Sequence, residues 1–128
     1  MKKLLVLPLL VVALNSFAGW EMMFCDSVDE KGNCVGKAEL LNLSGPEKMV
    51  QVVLTNVDGV HTQKIYFEVY LVDPTTFAED LVTSAELSTS PTALMASQAI
   101  HINKKGQYLI KARDSYKDYI TSRELTVK

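Results

Sequence analysis

The sequence predicts an all-β protein, an antiparallel β-sandwich of six to seven strands. Three observations predict it. Apolar, β-branched runs alternate with polar residues, turn residues recur about every 8–12 positions, and no stretch has a convincing helical period. The length of 128 residues suits one domain. With 48% hydrophobic and 22% charged residues, the composition excludes a globally disordered chain.

Residues 1–18 have the layout of a secretory signal peptide. A basic start, Met1-Lys2-Lys3, precedes an apolar run that only Pro8 interrupts, and small residues follow at Ser16 and Ala18. The run holds about 11 residues, too few to span a bilayer, so an uncleaved membrane anchor is the less favoured alternative. We expect cleavage after Ala18, a mature domain at 19–128 without a membrane span, and a periplasmic or secreted location.

The charge balance argues against a nucleic-acid partner. The whole chain has a formal net charge of −2. Without residues 1–18, which include two lysines, 11 basic and 15 acidic residues remain and give −4. Domains that bind nucleic acids usually carry a basic stripe instead.

Two cysteines, Cys25 and Cys34, are expected to form a disulfide after export. Eight mostly polar residues separate them, and Gly32-Asn33 supplies a turn. This spacing predicts a β-hairpin tied by the disulfide, with arms at Trp20–Phe24 and Val35–Leu43. A CxxC redox pair would need two intervening residues, and the acidic residues of the loop do not match a calcium-binding EF-hand.

The next two strands are predicted at Met49–Val57 and Thr62–Val72, joined by a turn at Asp58-Gly59. Asp73-Pro74 ends the second strand, because proline cannot continue a ladder of hydrogen bonds. This strand alternates cleanly. One face carries Ile65, Phe67, Val69 and Leu71, and the other carries Tyr66, Glu68, Tyr70 and Val72.

Residues 75–95 are the least regular part of the sequence. The segment 77–87 fits one strand or a short helix, and 92–96 fits a helical turn. Strand alternation returns with Ile100 and Ile102 on one face and His101 on the other. Tyr108, Ile110 and Ala112 then alternate with Leu109, Lys111 and Arg113, and a loop at 114–118 leads to a last strand at 119–127.

The segment Asn103-Lys-Lys-Gly-Gln-Tyr108-Leu-Ile110 resembles the entry into strand F of immunoglobulin-like domains. The resemblance implies that Tyr108 is the "tyrosine corner" and Ile110 a core residue. The segment from Ser122 to Val127 similarly resembles the closing G strand of immunoglobulin-like and fibronectin-III-like modules. Two features depart from antibody domains: no cysteine pair links the B and F positions, and Phe67 stands where strand C would carry tryptophan. The resemblance concerns the fold and implies no activity.

No catalytic or cofactor motif is recognisable, and we expect a non-enzymatic protein without cofactor or metal. His61 and His101 are interpreted as solvated surface residues. The methionines near the N-terminus are interpreted as packing residues. The arm with Trp20, Met22 and Phe24 either covers the core or lies exposed as a docking strand.

Recognition of a protein or a glycan is therefore the favoured function. In an immunoglobulin-like arrangement strands C, F and G share a sheet, which groups Tyr66, Glu68, Tyr70, Lys111 and Arg113 on one outward face. Tyrosine and arginine are enriched at binding surfaces. A second candidate is the loop that carries Tyr116 and Tyr119. The alternative is a solvated face that binds nothing, steadied by cross-strand pairs.

Two other functions stay open. A structural subunit of an envelope assembly would use the N-terminal arm as its pairing strand. A small protease inhibitor is suggested because Asp73-Pro-Thr-Thr-Phe77 resembles the NPTT loop of chagasin-type cysteine-protease inhibitors. Asp and Phe replace the Asn and Gly of that motif, and the other two inhibitory loops of the family are absent from the sequence.

Overall fold

The computed structural model describes residues 19–128, and the predicted signal peptide at 1–18 lies outside this range. These residues form ten strands: β1 (Trp20–Cys25), β2 (Ser27–Val28), β3 (Cys34–Val35), β4 (Leu40–Leu41), β5 (Lys48–Asn56), β6 (Lys64–Val72), β7 (Glu79–Ser88), β8 (Met95–Ile102), β9 (Gly106–Arg113) and β10 (Tyr119–Val127). Seven of the described strands have six or more residues, as the sequence predicts. No helix in the described range is long and apolar enough to cross a membrane.

Two sheets pack face to face. The smaller has the order β1-β5-β8, the larger has the order β4-β10-β9-β6-β7, and β2 and β3 form a separate ribbon. All pairs are antiparallel except β4 with β10, which is parallel and two residues long. The predicted arm at 35–43 therefore supplies only short strands, and its Leu40–Leu41 part extends the larger sheet.

The core lies between the inner faces of these sheets, and its residues follow the alternation in the sequence. On β6 and β9 every second side chain is buried, while the side chains between them are only partly covered. The buried residues of the larger sheet include Ile65, Phe67, Val69, Tyr108, Ile110, Ala112 and Leu125. Those of the smaller sheet include Met22, Phe24, Val50, Val52, Leu54, Ile100 and Ile102.

Tyr108 has the contacts expected of a tyrosine corner. Its side chain is 2% exposed, and its hydroxyl donates a hydrogen bond to the carbonyl oxygen of Lys104 at 2.8 Å. The bond satisfies a buried hydroxyl and fixes the turn that leads into β9. Burial raises the pKa of this phenol above its ordinary value. The position inferred from the resemblance is therefore confirmed.

The predicted disulfide joins Cys25 to Cys34. The hairpin that it ties is the small ribbon β2–β3. Beyond the ribbon the two arms form no ladder, and one backbone hydrogen bond joins them, from the Ala38 N–H to the carbonyl oxygen of Phe24 at 3.0 Å. β1 pairs instead with β5 along its whole length. The predicted hairpin tied by the disulfide is confirmed, but its paired strands are shorter than the predicted arms, because β1 pairs with β5 instead.

The ribbon lies against the outer side of the smaller sheet. The methyl carbon of Met95 packs so closely against Gly32 that a β-carbon at this position would collide with it. Gly32 also has a φ of +85°, which a larger residue adopts only with strain. On this side Cys25 and Val53 are buried although they point away from the main core. The disulfide thus anchors a cover over a second, smaller apolar region.

The N-terminal arm belongs to the core. Met22 and Phe24 are 2% and 1% exposed, and Trp20 packs against the same cluster. The second edge of β1 is also occupied, because Arg123 donates from Nη1 to the carbonyl oxygen of Met22 at 2.9 Å. Of the two interpretations of this arm, the docking strand is therefore wrong.

The least regular part of the sequence contains one long strand. β7 starts at Glu79, so the segment is a strand and not a helix, and Phe77 precedes it in a turn with a φ of +62°. The helical turn expected at 92–96 is absent, since Met95 and Ala96 already belong to β8. β7 is an edge strand with most of its side chains exposed, and this weak burial explains its weak sequence pattern.

We expect the double variant Cys25→Ala/Cys34→Ala to unfold with a free energy about 2–3 kcal/mol lower than that of the parent, because the unfolded chain gains freedom. Denaturant titration measures the difference. Reductant should lower the stability of the parent and leave the variant unchanged. Two reactive thiols in the folded, oxidised parent would contradict the assignment.

Candidate functional site

Five predicted binding residues meet on the outer side of the larger sheet. The register of β6 and β9 sets Tyr66 opposite Arg113 and Glu68 opposite Lys111. Tyr70 follows on the same side of β6, opposite Leu109. All five are partly buried. We call Tyr66, Glu68, Tyr70, Lys111 and Arg113 the β6–β9 face.

Glu68 lies at the centre of this face. Its Oε1 accepts hydrogen bonds from Arg113 Nε at 2.9 Å and from the Tyr70 hydroxyl at 3.0 Å. The bond from Arg113 holds the pKa of the Glu68 carboxyl below its ordinary value, despite an opposing effect of partial burial. The same bond raises the pKa of Arg113. For Tyr70, burial and then the bond to Glu68 raise the pKa of the phenol. All three groups therefore keep one protonation state near neutral pH.

Two lysines lie against the tyrosine rings. Lys111 Nζ is 4.7 Å from the centre of the Tyr70 ring and 2.9 Å from Glu79 Oε1 on β7. Lys117 Nζ, from the loop after β9, is 5.3 Å from the centre of the Tyr66 ring. Such cation–π contacts are each worth about 0.5–1 kcal/mol at exposed sites. They restrict both rings before any partner arrives.

Part of this face forms a shallow depression of about 480 Å³. Its lining comprises Tyr66, Glu68, Ser84, Ala85, Glu86, Arg113 and Lys117. Sequence reasoning identified three of these residues and missed the other four. Three of the four belong to β7, whose partner strand the sequence does not specify, and Lys117 lies in a loop with a φ of +67°. The pairing of β7 with β6 is what adds them to the site.

The other two predicted residues lie apart from the five. Tyr116 is at the tip of the β9–β10 loop and is 87% exposed. Tyr119 begins β10, and its hydroxyl lies 2.8 Å from the hydroxyl of Ser122. The structure therefore separates the second candidate from the β6–β9 face.

The residues considered for a catalytic, metal-binding or inhibitory role either make hydrogen bonds within the protein or are exposed to solvent. His101 is exposed, with its Nδ1 2.5 Å from Glu47 Oε1, and His61 is exposed in the β5–β6 loop. Within residues 19–128, no three His, Cys, Asp or Glu side chains are grouped to hold a metal ion. The carboxylate of Asp73 accepts hydrogen bonds from the backbone of Thr75 and Thr76, and this lowers its pKa. The Asp73–Phe77 motif thus forms a turn that the side chain of Asp73 stabilises.

Comparison with solved structures identifies the fold. An immunoglobulin-like protein from Pseudomonas aeruginosa is 8% identical, with a TM-score of 0.50 over 84% of this chain and 92% of that one. The soluble domain of PmoD from Methylocystis is 7% identical, with a TM-score of 0.52 over 85% and 90%. A CARDB domain from Pyrococcus furiosus is 12% identical, with a TM-score of 0.44 over 87% and 96%.

The chain has an immunoglobulin-like fold. No protein-family model matches the sequence, and no curated protein matches it either. At these identities the likeness concerns the fold alone, since immunoglobulin-like sandwiches support many unrelated functions. A statement about function therefore depends on the surface of this chain.

We expect Glu68→Gln to lower the free energy of unfolding by about 0.5–1 kcal/mol at pH 7, because a charged hydrogen bond is lost. The folded-state pKa of Glu68 lies below its ordinary value of 4.5, so the stabilisation is present above that pH. It is lost as the pH falls through the folded-state pKa. Chemical denaturation of both proteins from pH 7 to pH 3 measures the difference, which should shrink.

The matched control is Asp80→Asn, which removes an exposed carboxylate on β7. This change should alter the free energy of unfolding at pH 7 by less than about 0.5 kcal/mol. A difference between parent and Glu68→Gln that stays constant from pH 7 to pH 3 would show that the charge of Glu68 does not stabilise the fold.

Proposed function

We propose that this protein is an exported, non-enzymatic recognition domain that binds a protein partner through the β6–β9 face. The observation that carries the proposal is the pair of half-buried tyrosines, Tyr66 and Tyr70, each held in place by a lysine. Tyrosine offers a large contact area with a polar tip and loses little conformational freedom on binding. Tyrosine rings that are already restricted lose even less conformational freedom on binding.

The shape and charge of the face favour a protein over a glycan. The β6–β9 face is part of a continuous sheet surface and has one shallow depression on it. Ion pairs on and beside it present both signs: Glu68 with Arg113, Lys111 with Glu79, and Lys64 with Glu86. Mixed charges around aromatic residues suit the complementary surface of another protein. The fixed positions of these charges also determine the orientation in which a protein partner binds.

Export is part of the same proposal. The signal-peptide pattern at 1–18 and a disulfide between Cys25 and Cys34 both suit an oxidising compartment. The partner would then be another periplasmic, secreted or surface protein. A structural subunit that assembles through its N-terminal strand is not proposed, since β1 is already paired with β5 on one edge and contacts β10 on the other.

We expect replacement of four residues of the face to weaken binding at least about tenfold, the usual effect of losing an interface hot spot. The variant is Tyr66→Ser/Tyr70→Ser/Lys111→Gln/Arg113→Gln. A partner is first captured from an extract of the source cells on the immobilised parent protein. Its affinity for parent and variant is then measured by surface plasmon resonance.

A matched control carries the same types of change on exposed residues elsewhere: Met49→Ser, Leu94→Ser, Lys37→Gln and Lys105→Gln. It should bind the partner as the parent does. Equal affinity of the parent and the four-residue face variant would overturn the proposal. Capture of a polysaccharide in place of a protein would also contradict it.

A further inference from the structure

A second pocket lies at one end of the sandwich and shares no lining residue with the depression on the β6–β9 face. It has a volume of about 330 Å³, within the usual range for small-molecule sites. It is lined by the start of β1, the end of β5, the β5–β6 loop, the β9–β10 loop and the start of β10. We call it the end pocket, and its lining comprises Trp20, Asn56, Asp58, Val60, His61, Thr62, Asp114, Tyr119 and Ile120.

The walls of the end pocket are fixed to each other. Thr62 and Ser115, which lie 53 residues apart in the chain, have their hydroxyl oxygens 2.7 Å apart. Ser115 also donates its backbone N–H to Thr62 Oγ1, and its own Oγ accepts the backbone N–H of Lys64. These bonds tie the β5–β6 loop to the β9–β10 loop. These bonds therefore fix the relative position of two walls of the pocket.

The backbone at the rim is held in an unusual conformation. His61 has a φ of +54°, a region that residues other than glycine seldom occupy. Its neighbours keep it there: the His61 N–H donates to the carbonyl oxygen of Pro91 at 2.9 Å, and the Val60 N–H donates to that of Ala93 at 2.8 Å. Strained backbone of this kind is concentrated at ligand sites, where it pre-positions side chains.

The chemistry of the lining is aromatic and acidic. Trp20 and Tyr119 supply aromatic rings, and Val60 and Ile120 supply a buried apolar surface. Asp58 and Asp114 supply carboxylates, and none of the described lining residues is Lys or Arg. The Asp58 carboxylate makes no hydrogen bond or ion pair with any other residue in the range 19–128. Asp114 is fixed in place, since its Oδ1 accepts the backbone N–H groups of Tyr116 and Asp118.

We infer that the end pocket binds a small organic cation, an alkylammonium group of the quaternary or methylated kind. Aromatic rings attract such cations through their π faces, and the apolar floor accommodates the alkyl groups. The carboxylates compensate the positive charge. An anion would face two carboxylates and no lysine or arginine among the described lining residues, and a bare metal ion would lack grouped ligands within the described chain.

The test uses choline as the probe and intrinsic fluorescence as the readout. Trp20 is the single tryptophan of the chain and lines the pocket, so a bound cation changes its emission. We expect a saturable change with choline chloride at constant ionic strength. Its neutral carbon analogue, 3,3-dimethylbutan-1-ol, has nearly the same shape without the charge and should give no saturable change.

Two variants test the assigned contacts. Asp58→Asn and Tyr119→Leu should each weaken choline binding about three- to tenfold, by loss of the compensating charge or of a ring. Their matched controls, Asp80→Asn and Phe77→Leu, change an exposed carboxylate and an exposed aromatic residue outside the pocket and should bind choline as the parent does.

Several results would overturn the inference: no saturable response to choline, an equal response to the neutral analogue, or unchanged binding in both pocket variants. The outcome is separable from that for the proposed function. The four-residue variant of the β6–β9 face changes no residue that lines the end pocket, and it should bind choline normally even where it has lost its protein partner.

Discussion

The pairing of β6 with β9 sets both faces of the larger sheet at once. Phe67 lies opposite Ala112 and Val69 opposite Ile110 on the side of the core, while Glu68 lies opposite Lys111 on the side of the solvent. Side chains alternate along a strand with a period of two, so a slip of one residue would exchange the two sides. It would move charged groups into the core. The apolar core therefore enforces the arrangement of the polar face.

The polar face in turn stabilises this register. Glu68 on β6 is bonded to Arg113 on β9, and Lys111 on β9 is bonded to Glu79 on β7. Each such pair contributes little alone, about 0.2–1 kcal/mol, but together they join three neighbouring strands across their outer side. Surface side chains that are held by such pairs also keep the same conformation when another protein binds. Stability and recognition thus depend on the same contacts.

Much of this could be predicted from the sequence, because the alternation on β6, β9 and β10 reports burial directly. The disulfide follows from the spacing of the cysteines, whereas the tyrosine corner at Tyr108 and the grouping of five face residues follow from the resemblance to immunoglobulin-like domains. β7 could not be predicted with the same precision, because an exposed edge strand buries few side chains and shows no clear period. Which strand pairs with the N-terminal arm depends on competition between strands that lie far apart in the sequence. A local sequence pattern does not report that competition. For the same reason the end pocket, assembled from three separate segments, has no sequence motif.

The register of β6 and β9 is the central claim, and backbone nuclear Overhauser effects in the isotope-labelled protein test it most directly. The account predicts cross-strand contacts that join Phe67 to Ala112, Glu68 to Lys111 and Val69 to Ile110. Contacts displaced by one residue, with Phe67 opposite Lys111, would contradict it. Such a displaced register would place the charged residues of β9 against the core, and the residues of the β6–β9 face would no longer lie together.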